Sequence, residues 1–145
     1  MRSMASFYGT NELPEQAGRT LAALGLEESA LDLPVRQYSK GMTQKLGLVS
    51  SFVSGKELLV LDEPMSGLDP LARVRLKRQL EDLRREGDRT ILLTAHSLAD
   101  IDEICDHMIL LHDSKIAFAG APEDFRRDTG EPTLERAFLR RIGSA

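Results

Sequence analysis

Short apolar runs mark the second half of the chain, at Leu58–Leu61, Ile91–Thr94, Met108–Leu111 and Ile116–Ala119. Their apolar character is continuous rather than alternating, which predicts strands that are covered on both faces, as in parallel sheets. Between the first two runs, the segment Leu71–Glu86 repeats leucines at helical spacing, at Leu76, Leu80 and Leu83. The order strand, helix, strand predicts a right-handed crossover between parallel neighbours.

Further elements complete the predicted organisation. An amphipathic helix is predicted over Glu15–Leu26, with Gly25 closing it. The last two apolar runs flank the short sequence HDSK, which predicts an antiparallel hairpin. The ending PTLERAFLRRIG predicts a final helix closed by Gly143. Together these patterns predict an α/β fold, with a proline-containing break near Leu33–Arg36.

Composition and charge exclude several classes of protein. The 145 residues fit one domain, and a net charge of −4 without a long basic run argues against a dedicated nucleic-acid-binding protein. Cys105 is the only cysteine, so no intrachain disulfide can form. The apolar runs fall far short of the roughly 18 residues that a membrane-spanning helix requires. The first residues also lack the apolar core of a signal peptide, so the cytosol is the expected location.

Two adjacent carboxylates, Asp62 and Glu63, directly follow the first apolar run. In open α/β sheets, ligands bind beyond the carboxyl ends of the strands. A carboxylate at such an end can hold Mg²⁺ through its waters, and a second one can orient or polarise an attacking water. The alternative interpretation is structural: an aspartate that caps a helix, next to a surface glutamate.

Other polar features accompany the pair. Asp69 precedes Pro70 in the sequence SGLDP, where it is placed to cap the next helix. His96 follows the second apolar run, at the tip of the neighbouring strand, where an imidazole could meet a phosphate. Ser39 and Gly41 precede an apolar stripe and predict a helix start whose N–H groups attract an anion. The alternative interpretations are an ordinary capped helix that begins at Ser39 and a purely structural role for His96.

In this order, the motifs resemble the nucleotide-binding domain of ATP-binding cassette (ABC) transporters, over nearly the whole chain from about Phe7 to Gly143. YSKGM resembles the family signature, although Lys40 and Met42 depart from its commonest form. LLVLDE resembles the Walker B strand, and SGLD matches the D-loop. The tail PTLERAFLRRIG is similar to the ending of cassettes that pair with export permeases for drugs, polysaccharides or haem.

The resemblance implies a role for each candidate residue. It implies that Asp62 binds magnesium, that Glu63 is the catalytic base and that His96 contacts the γ-phosphate of ATP. The signature of one cassette meets the ATP held by a second cassette in a head-to-tail dimer. Contacts with the nucleotide are therefore implied for the signature and D-loop residues Ser39, Gly41 and Asp69.

For the whole chain, the resemblance implies the C-terminal portion of a P-loop NTPase cassette: a parallel sheet with flanking helices, part of the helical subdomain, and a C-terminal hairpin and helix. Residues 1–145 then form one partial domain. About 1–54 are the helical and signature subdomain, about 55–130 the core and about 131–145 the last helix. ATP and Mg²⁺ are the implied cofactors of the complete domain. A transmembrane permease subunit is the implied partner, at the inner face of the cell membrane.

The family's phosphate-binding loop, G-x-x-x-x-G-K-[ST], does not occur in these 145 residues, and SGKE at Ser54–Glu57 does not match it. The backbone N–H groups and lysine of that loop supply most contacts to the β- and γ-phosphates. The chain alone is therefore expected not to hydrolyse ATP. Without the early strands of the sheet, apolar surface is expected to be exposed.

Three functions follow from these motifs. The leading hypothesis is the ATPase of an ABC transporter that powers export. A second is a non-catalytic interaction or regulatory module that pairs with an intact ABC ATPase. A third, a soluble machine for DNA repair or translation, is disfavoured because those relatives carry long coiled coils or tandem cassettes, which this sequence lacks.

Overall fold

The structure is a computed structural model, and it describes residues 15–27, 29–30, 33–87 and 89–143. The chain divides into two compact units, the first ending at Thr94 and the second beginning at Ala95. The subdivision into about 1–54, 55–130 and 131–145 stays a prediction. The start of the family resemblance, near Phe7, lies outside the described residues. No helix in the described ranges has both the length and the apolar character needed to cross a membrane.

The first unit combines helices with a small parallel sheet. Its elements are α1 (Glu15–Ala23), a 3₁₀ helix (Val35–Gln37), α2 (Lys40–Val53), β1 (Leu58–Leu61), α3 (Pro70–Arg85) and β2 (Thr90–Leu93). β1 and β2 are parallel neighbours, with Leu58 opposite Thr90 and Leu61 opposite Leu93. The predicted parallel pairing is therefore confirmed, although β2 begins and ends one residue earlier than Ile91–Thr94.

Gly25 ends the first helix as predicted. Its φ of +68° lies in the left-handed region, where glycine has no steric penalty. The Gly25 N–H donates to the Ala22 carbonyl at 2.9 Å, and the Leu26 N–H donates to the Leu21 carbonyl at 2.9 Å. This pair of hydrogen bonds is a Schellman motif. Because the motif turns the chain at Gly25, α1 ends at Ala23 rather than at the predicted Leu26.

The two faces of the parallel sheet differ in exposure. Leu59 and Leu61 are buried, whereas the alternating Leu58 and Val60 are 56% and 66% exposed. Leu92, opposite Val60, is exposed as well. The prediction of strands covered on both faces is therefore wrong, because the described residues supply a covering layer for one face only. The expected exposure of apolar sheet surface is confirmed.

The core of the first unit lies among its helices, where α1 packs against α2 and α3. The leucines that predicted α3 are buried, and Leu76 is fully so. The other large buried side chains of this core include Leu21, Leu24, Val49 and Phe52. Burial of one such side chain stabilises a fold by about 1.5–3 kcal/mol, so this cluster anchors the helices beside the sheet.

The second unit is built around a hairpin. Its elements are α4 (Leu98–Ile104), β3 (Met108–His112), β4 (Lys115–Gly120), α5 (Pro122–Thr129) and α6 (Leu134–Gly143). β3 and β4 form the predicted antiparallel hairpin. Its turn residues Asp113 and Ser114 both have positive φ, 48° and 58°, as a type I′ turn requires. Met108, Phe125, Leu134 and Ala137 form the buried core of this unit.

Two helices of the second unit, α4 and α5, were not predicted from the sequence. The Ser97 hydroxyl caps α4 by accepting a hydrogen bond from the Asp100 N–H at 3.2 Å. Pro122 lies in the first turn of α5, and Gly130, at φ +69°, ends it. The last helix, α6, begins at Leu134 rather than at Pro132. Thr133 caps it through its hydroxyl, which accepts from the Arg136 N–H at 3.3 Å.

Candidate active site

The acidic pair lies at the carboxyl end of the parallel sheet. Asp62 and Glu63 follow β1 directly, and Thr94 follows β2 directly. The Thr94 N–H donates to the Leu61 carbonyl at 3.0 Å, which continues the pairing of the strands by one residue. The end of a parallel sheet is where open α/β folds bind ligands, so the predicted location of the pair in the sheet is confirmed.

One hydroxyl ties the two acidic residues together. The Thr94 Oγ1 donates to the Asp62 Oδ1 at 2.6 Å. The same oxygen accepts a hydrogen bond from the Glu63 backbone N–H at 2.9 Å. The side chain of one acidic residue and the main chain of the next are therefore bound to a single atom. Sequence reasoning treated Thr94 only as the end of an apolar strand and missed this contact.

The backbone of Glu63 adopts a left-handed conformation, with φ +44°. Residues other than glycine pay a steric cost there, so neighbouring bonds must hold the chain in place. The Ser66 N–H donates to the Glu63 carbonyl at 2.9 Å. From α2, the Gln44 Nε2 donates to the Pro64 carbonyl at 3.3 Å. The half-buried Glu63 thus sits in a turn that is bonded from the sheet, from within the turn and from α2.

The start of α2 lies against the turn that follows the acidic pair. Ser39 is the N-cap of α2, and its hydroxyl accepts from the Met42 N–H at 3.1 Å. A Cβ atom placed on Gly41 would lie 3.4 Å from the Gly67 carbonyl oxygen. The structure thus brings the YSKGM and SGLD segments into contact. The capping bond also matches the ordinary interpretation of Ser39 as a structural cap, so its contact with nucleotide stays a prediction.

Asp69 caps α3, as its position before a proline predicted. Its Oδ1 accepts from the Ala72 N–H at 2.9 Å, and its Oδ2 lies 3.8 Å from the Lys45 Nζ. The Ala72 N–H, and more weakly the Lys45 charge, lower the pKa of the Asp69 carboxyl from its ordinary value. Asp69 is therefore held as an anion beside the start of α2, and its contact with nucleotide stays a prediction.

The acidic pair fits Mg²⁺ better than a fully protein-liganded metal. In the part of the chain that the structure describes, no three His, Cys, Asp or Glu side chains are grouped to hold a metal ion. Mg²⁺ keeps several waters and binds proteins through one or two carboxylates, usually together with substrate phosphates. The exposed Asp62 offers such a carboxylate, and its orientation is fixed by Thr94.

An open cleft of about 210 Å³ borders Asp62, and its lining includes Thr43, Gln44, Ser51 and Val60. Pockets that enclose small ligands usually measure about 300–1,000 Å³. The cleft next to Asp62 is smaller and more open than such pockets.

His96 belongs to the second unit, between β2 and the cap of α4, and is exposed. Its predicted place on the same edge as Glu63 stays a prediction. The capping Ser97 beside it was also missed from the sequence, although a serine before an apolar helical turn is a recognised start signal.

Comparison with known proteins assigns the family. The family model described as "AAA domain, putative AbiEii toxin, Type IV TA system" matches residues 21–102. A fluoroquinolones export ATP-binding protein of Mycobacterium tuberculosis is 41% identical over 127 residues, which are 87% of this chain and 40% of that protein. The chain belongs to the AAA-domain family, and its relatives are ABC-transporter ATP-binding proteins.

Other ABC proteins agree with this assignment. A lantibiotic transport ATP-binding protein of Streptococcus pyogenes is 37% identical over 109 residues, 75% of this chain and 44% of that protein. A solved structure titled "Structure of ATP binding subunit of ABC transporter" superposes with a TM-score of 0.73 at 30% identity, over 97% of this chain and 60% of that one. The α/β fold of an ABC cassette is confirmed. The chain spans less than half the length of these curated ABC relatives.

Proposed function

We propose that this chain supplies the signature, the acidic pair and the switch histidine of an ABC ATPase that powers export through a separate permease. The observation that carries the proposal is the placement of Asp62 and Glu63 at the carboxyl end of a parallel sheet, in a turn bonded to Thr94. The relatives' names, which describe export or transport ATP-binding proteins, support the same function. The permease partner would keep the chain at the inner face of the membrane.

Within the proposed reaction, each residue has a separate task. Asp62 would hold Mg²⁺, which when bound supplies positive charge to the phosphate oxygens. Glu63 would orient a water and accept its proton as general base. His96 would donate to the γ-phosphate.

The proposed partner is a second cassette arranged head to tail. The start of α2, with Ser39 and Gly41, and the neighbouring Asp69 would face ATP held by that partner. Backbone N–H groups at a helix N-terminus favour an anion, which suits a phosphate.

ATP must be anchored by polypeptide other than these residues, because the G-x-x-x-x-G-K-[ST] loop is not among the 145. We expect the chain alone to show no saturable binding of Mg-ATP at physiological nucleotide concentrations. Isothermal titration calorimetry of the purified chain is the direct measurement. Micromolar affinity would contradict this expectation and would reveal a binding loop of another kind.

A second candidate function rests on the same missing loop and on the exposed apolar face of the sheet. A non-catalytic module that pairs with an intact ABC ATPase would need the signature but not the acidic pair. The two functions differ in what substitutions of the acidic pair do to the assembled ATPase.

The proposal is tested by Glu63→Gln and Asp62→Asn, made in the ATPase assembled from this chain and the polypeptide that carries the phosphate loop. Glu63→Gln should lower single-turnover hydrolysis by about 10²–10⁴-fold with ATP affinity retained, because glutamine cannot accept the proton. Asp62→Asn should also weaken Mg²⁺-dependent ATP binding. Normal turnover with Glu63→Gln would refute the role of Glu63 as general base and would favour the non-catalytic module. An equal loss of affinity in both variants would refute the separate tasks.

A further inference from the structure

The Thr94 hydroxyl makes two hydrogen bonds, one as donor and one as acceptor, and both are to the acidic pair. Its proton goes to the Asp62 Oδ1 at 2.6 Å, a distance typical of an O–H donor bonded to a carboxylate. One of its lone pairs accepts the Glu63 N–H at 2.9 Å. The hydroxyl therefore fixes the direction of the Asp62 carboxylate and the plane of the peptide that leads into Glu63.

The strand does not require this hydroxyl. The Thr94 N–H is already paired with the Leu61 carbonyl at 3.0 Å, so this donor is satisfied without the side chain. Valine has the same branched shape and an equal preference for strands. What threonine adds over valine at position 94 is the bond to each member of the acidic pair.

Glu63 is a residue that needs such a bond. Its φ of +44° is unfavourable for a side chain with a Cβ, and such conformations persist only where surrounding contacts determine them. Its carbonyl is held by the Ser66 N–H at 2.9 Å, and its N–H is held by Thr94. Loss of the Thr94 hydroxyl would release the N–H side of Glu63, while its carbonyl side stays bonded.

We propose that Thr94 is a positioning residue for the proposed ATPase: its hydroxyl holds the Asp62 carboxylate in one orientation and the Glu63 backbone in the conformation that aims the Glu63 side chain. The inference rests on the proposed function of the acidic pair. Thr94 acts through these two residues and has no contact of its own with the nucleotide in this scheme.

The first test measures the bridge without ATP. Amide hydrogen exchange in the purified chain is compared for wild type, Thr94→Val and Thr94→Ser. Loss of the acceptor should make the Glu63 amide exchange roughly 3- to 10-fold faster in Thr94→Val, the effect of removing one hydrogen bond. Thr94→Ser keeps the hydroxyl and should exchange as wild type does. An unchanged Glu63 rate in Thr94→Val would overturn the proposal.

A matched control is available in the same strand. The Thr90 side chain makes no hydrogen bond among the described residues, while its N–H pairs with the Glu57 carbonyl at 2.7 Å. Thr90→Val removes a hydroxyl from β2 without touching the acidic pair. The Glu63 amide should exchange at the wild-type rate in this variant. Equal acceleration in both valine variants would show a general loosening of the strand and would overturn the specific role of Thr94.

The second test measures the reaction in the assembled ATPase. Thr94→Val should lower kcat about 10- to 100-fold and raise the Mg²⁺ concentration for half-maximal activity, the scale of one hydrogen bond to a charged group. Thr94→Ser should restore both values. An active assembly in which Thr94→Val changes neither value would overturn the positioning role. An inactive wild-type assembly would instead overturn the proposed function, and the exchange result would then decide alone whether Thr94 fixes the acidic pair.

Discussion

Because the backbone of Glu63 is left-handed, we expect glycine to be more stable than alanine at this position, the reverse of the usual order. At ordinary helical positions, alanine is more favourable than glycine by about 0.5–1 kcal/mol, because glycine loses more chain entropy on folding. At φ +44°, a residue with a Cβ pays roughly 1–2 kcal/mol that glycine does not pay. The difference between the two effects leaves Glu63→Gly more stable than Glu63→Ala by up to about 1.5 kcal/mol.

Position 86 supplies the matched control, because Glu86 ends α3 with a right-handed φ of −61°. Glu86→Ala should therefore be more stable than Glu86→Gly by up to about 1 kcal/mol. Comparing glycine with alanine at each position cancels the loss of the glutamate side chain. Urea unfolding of the four variants, followed by circular dichroism at 25 °C, gives the free energies. If alanine is favoured at position 63 as strongly as at position 86, the Glu63 backbone carries no strain and the reasoning is refuted.

Two further predictions concern the segments that lie against each other beside the acidic pair. The pKa of the Asp69 carboxyl is lowered in the folded chain, so its ionised form stabilises the fold fully above the ordinary pKa of about 3.9, and this stabilisation is lost as the pH falls through the lowered pKa. Asp69→Asn should therefore show a smaller drop in urea midpoint between pH 5 and pH 2 than wild type. An equal drop would contradict the stabilising role of the Asp69 carboxylate. Gly41→Ala should leave the free energy of unfolding within about 1 kcal/mol of wild type, because its Cβ would meet the Gly67 carbonyl at an ordinary 3.4 Å. Thermal unfolding and ATPase activity of the assembled enzyme, measured side by side, distinguish an effect on stability from an effect on activity. A large loss of stability would refute the described contact between Gly41 and Gly67.

Local signals in the sequence were enough for the elements that carry the site. Leucines at helical spacing predicted α3, and Asp69 before Pro70 predicted its cap, because both signals depend on residues within one or two turns. The parallel pairing of β1 and β2 followed from the helix between two apolar runs. Helix α4 was missed because Leu98–Ile104 has seven residues, too few to show a helical period.

Contacts between distant residues were beyond the sequence. The Thr94 hydroxyl meets Asp62 only because strands far apart in the chain are paired in one register. The exposure of Val60 also depends on which neighbours cover the sheet, and the apolar run looked the same as one covered on both faces. A polar residue at the end of an apolar strand, just before His96, was the one signal that could have directed attention to Thr94.

The two sheets differ in how far apart their partners lie along the chain, and this difference sets the order in which they can form. The β3–β4 hairpin joins His112 to Lys115 across a two-residue turn, and hairpins close within about 1–10 μs. The β1–β2 pair joins residues roughly thirty positions apart, so it must first close a loop that contains α3, at an entropic cost that grows with loop length. We therefore expect the bridge from Thr94 to the acidic pair to be among the last contacts made during folding, so that a partly folded chain has its hairpin before it has the arrangement proposed to hold magnesium.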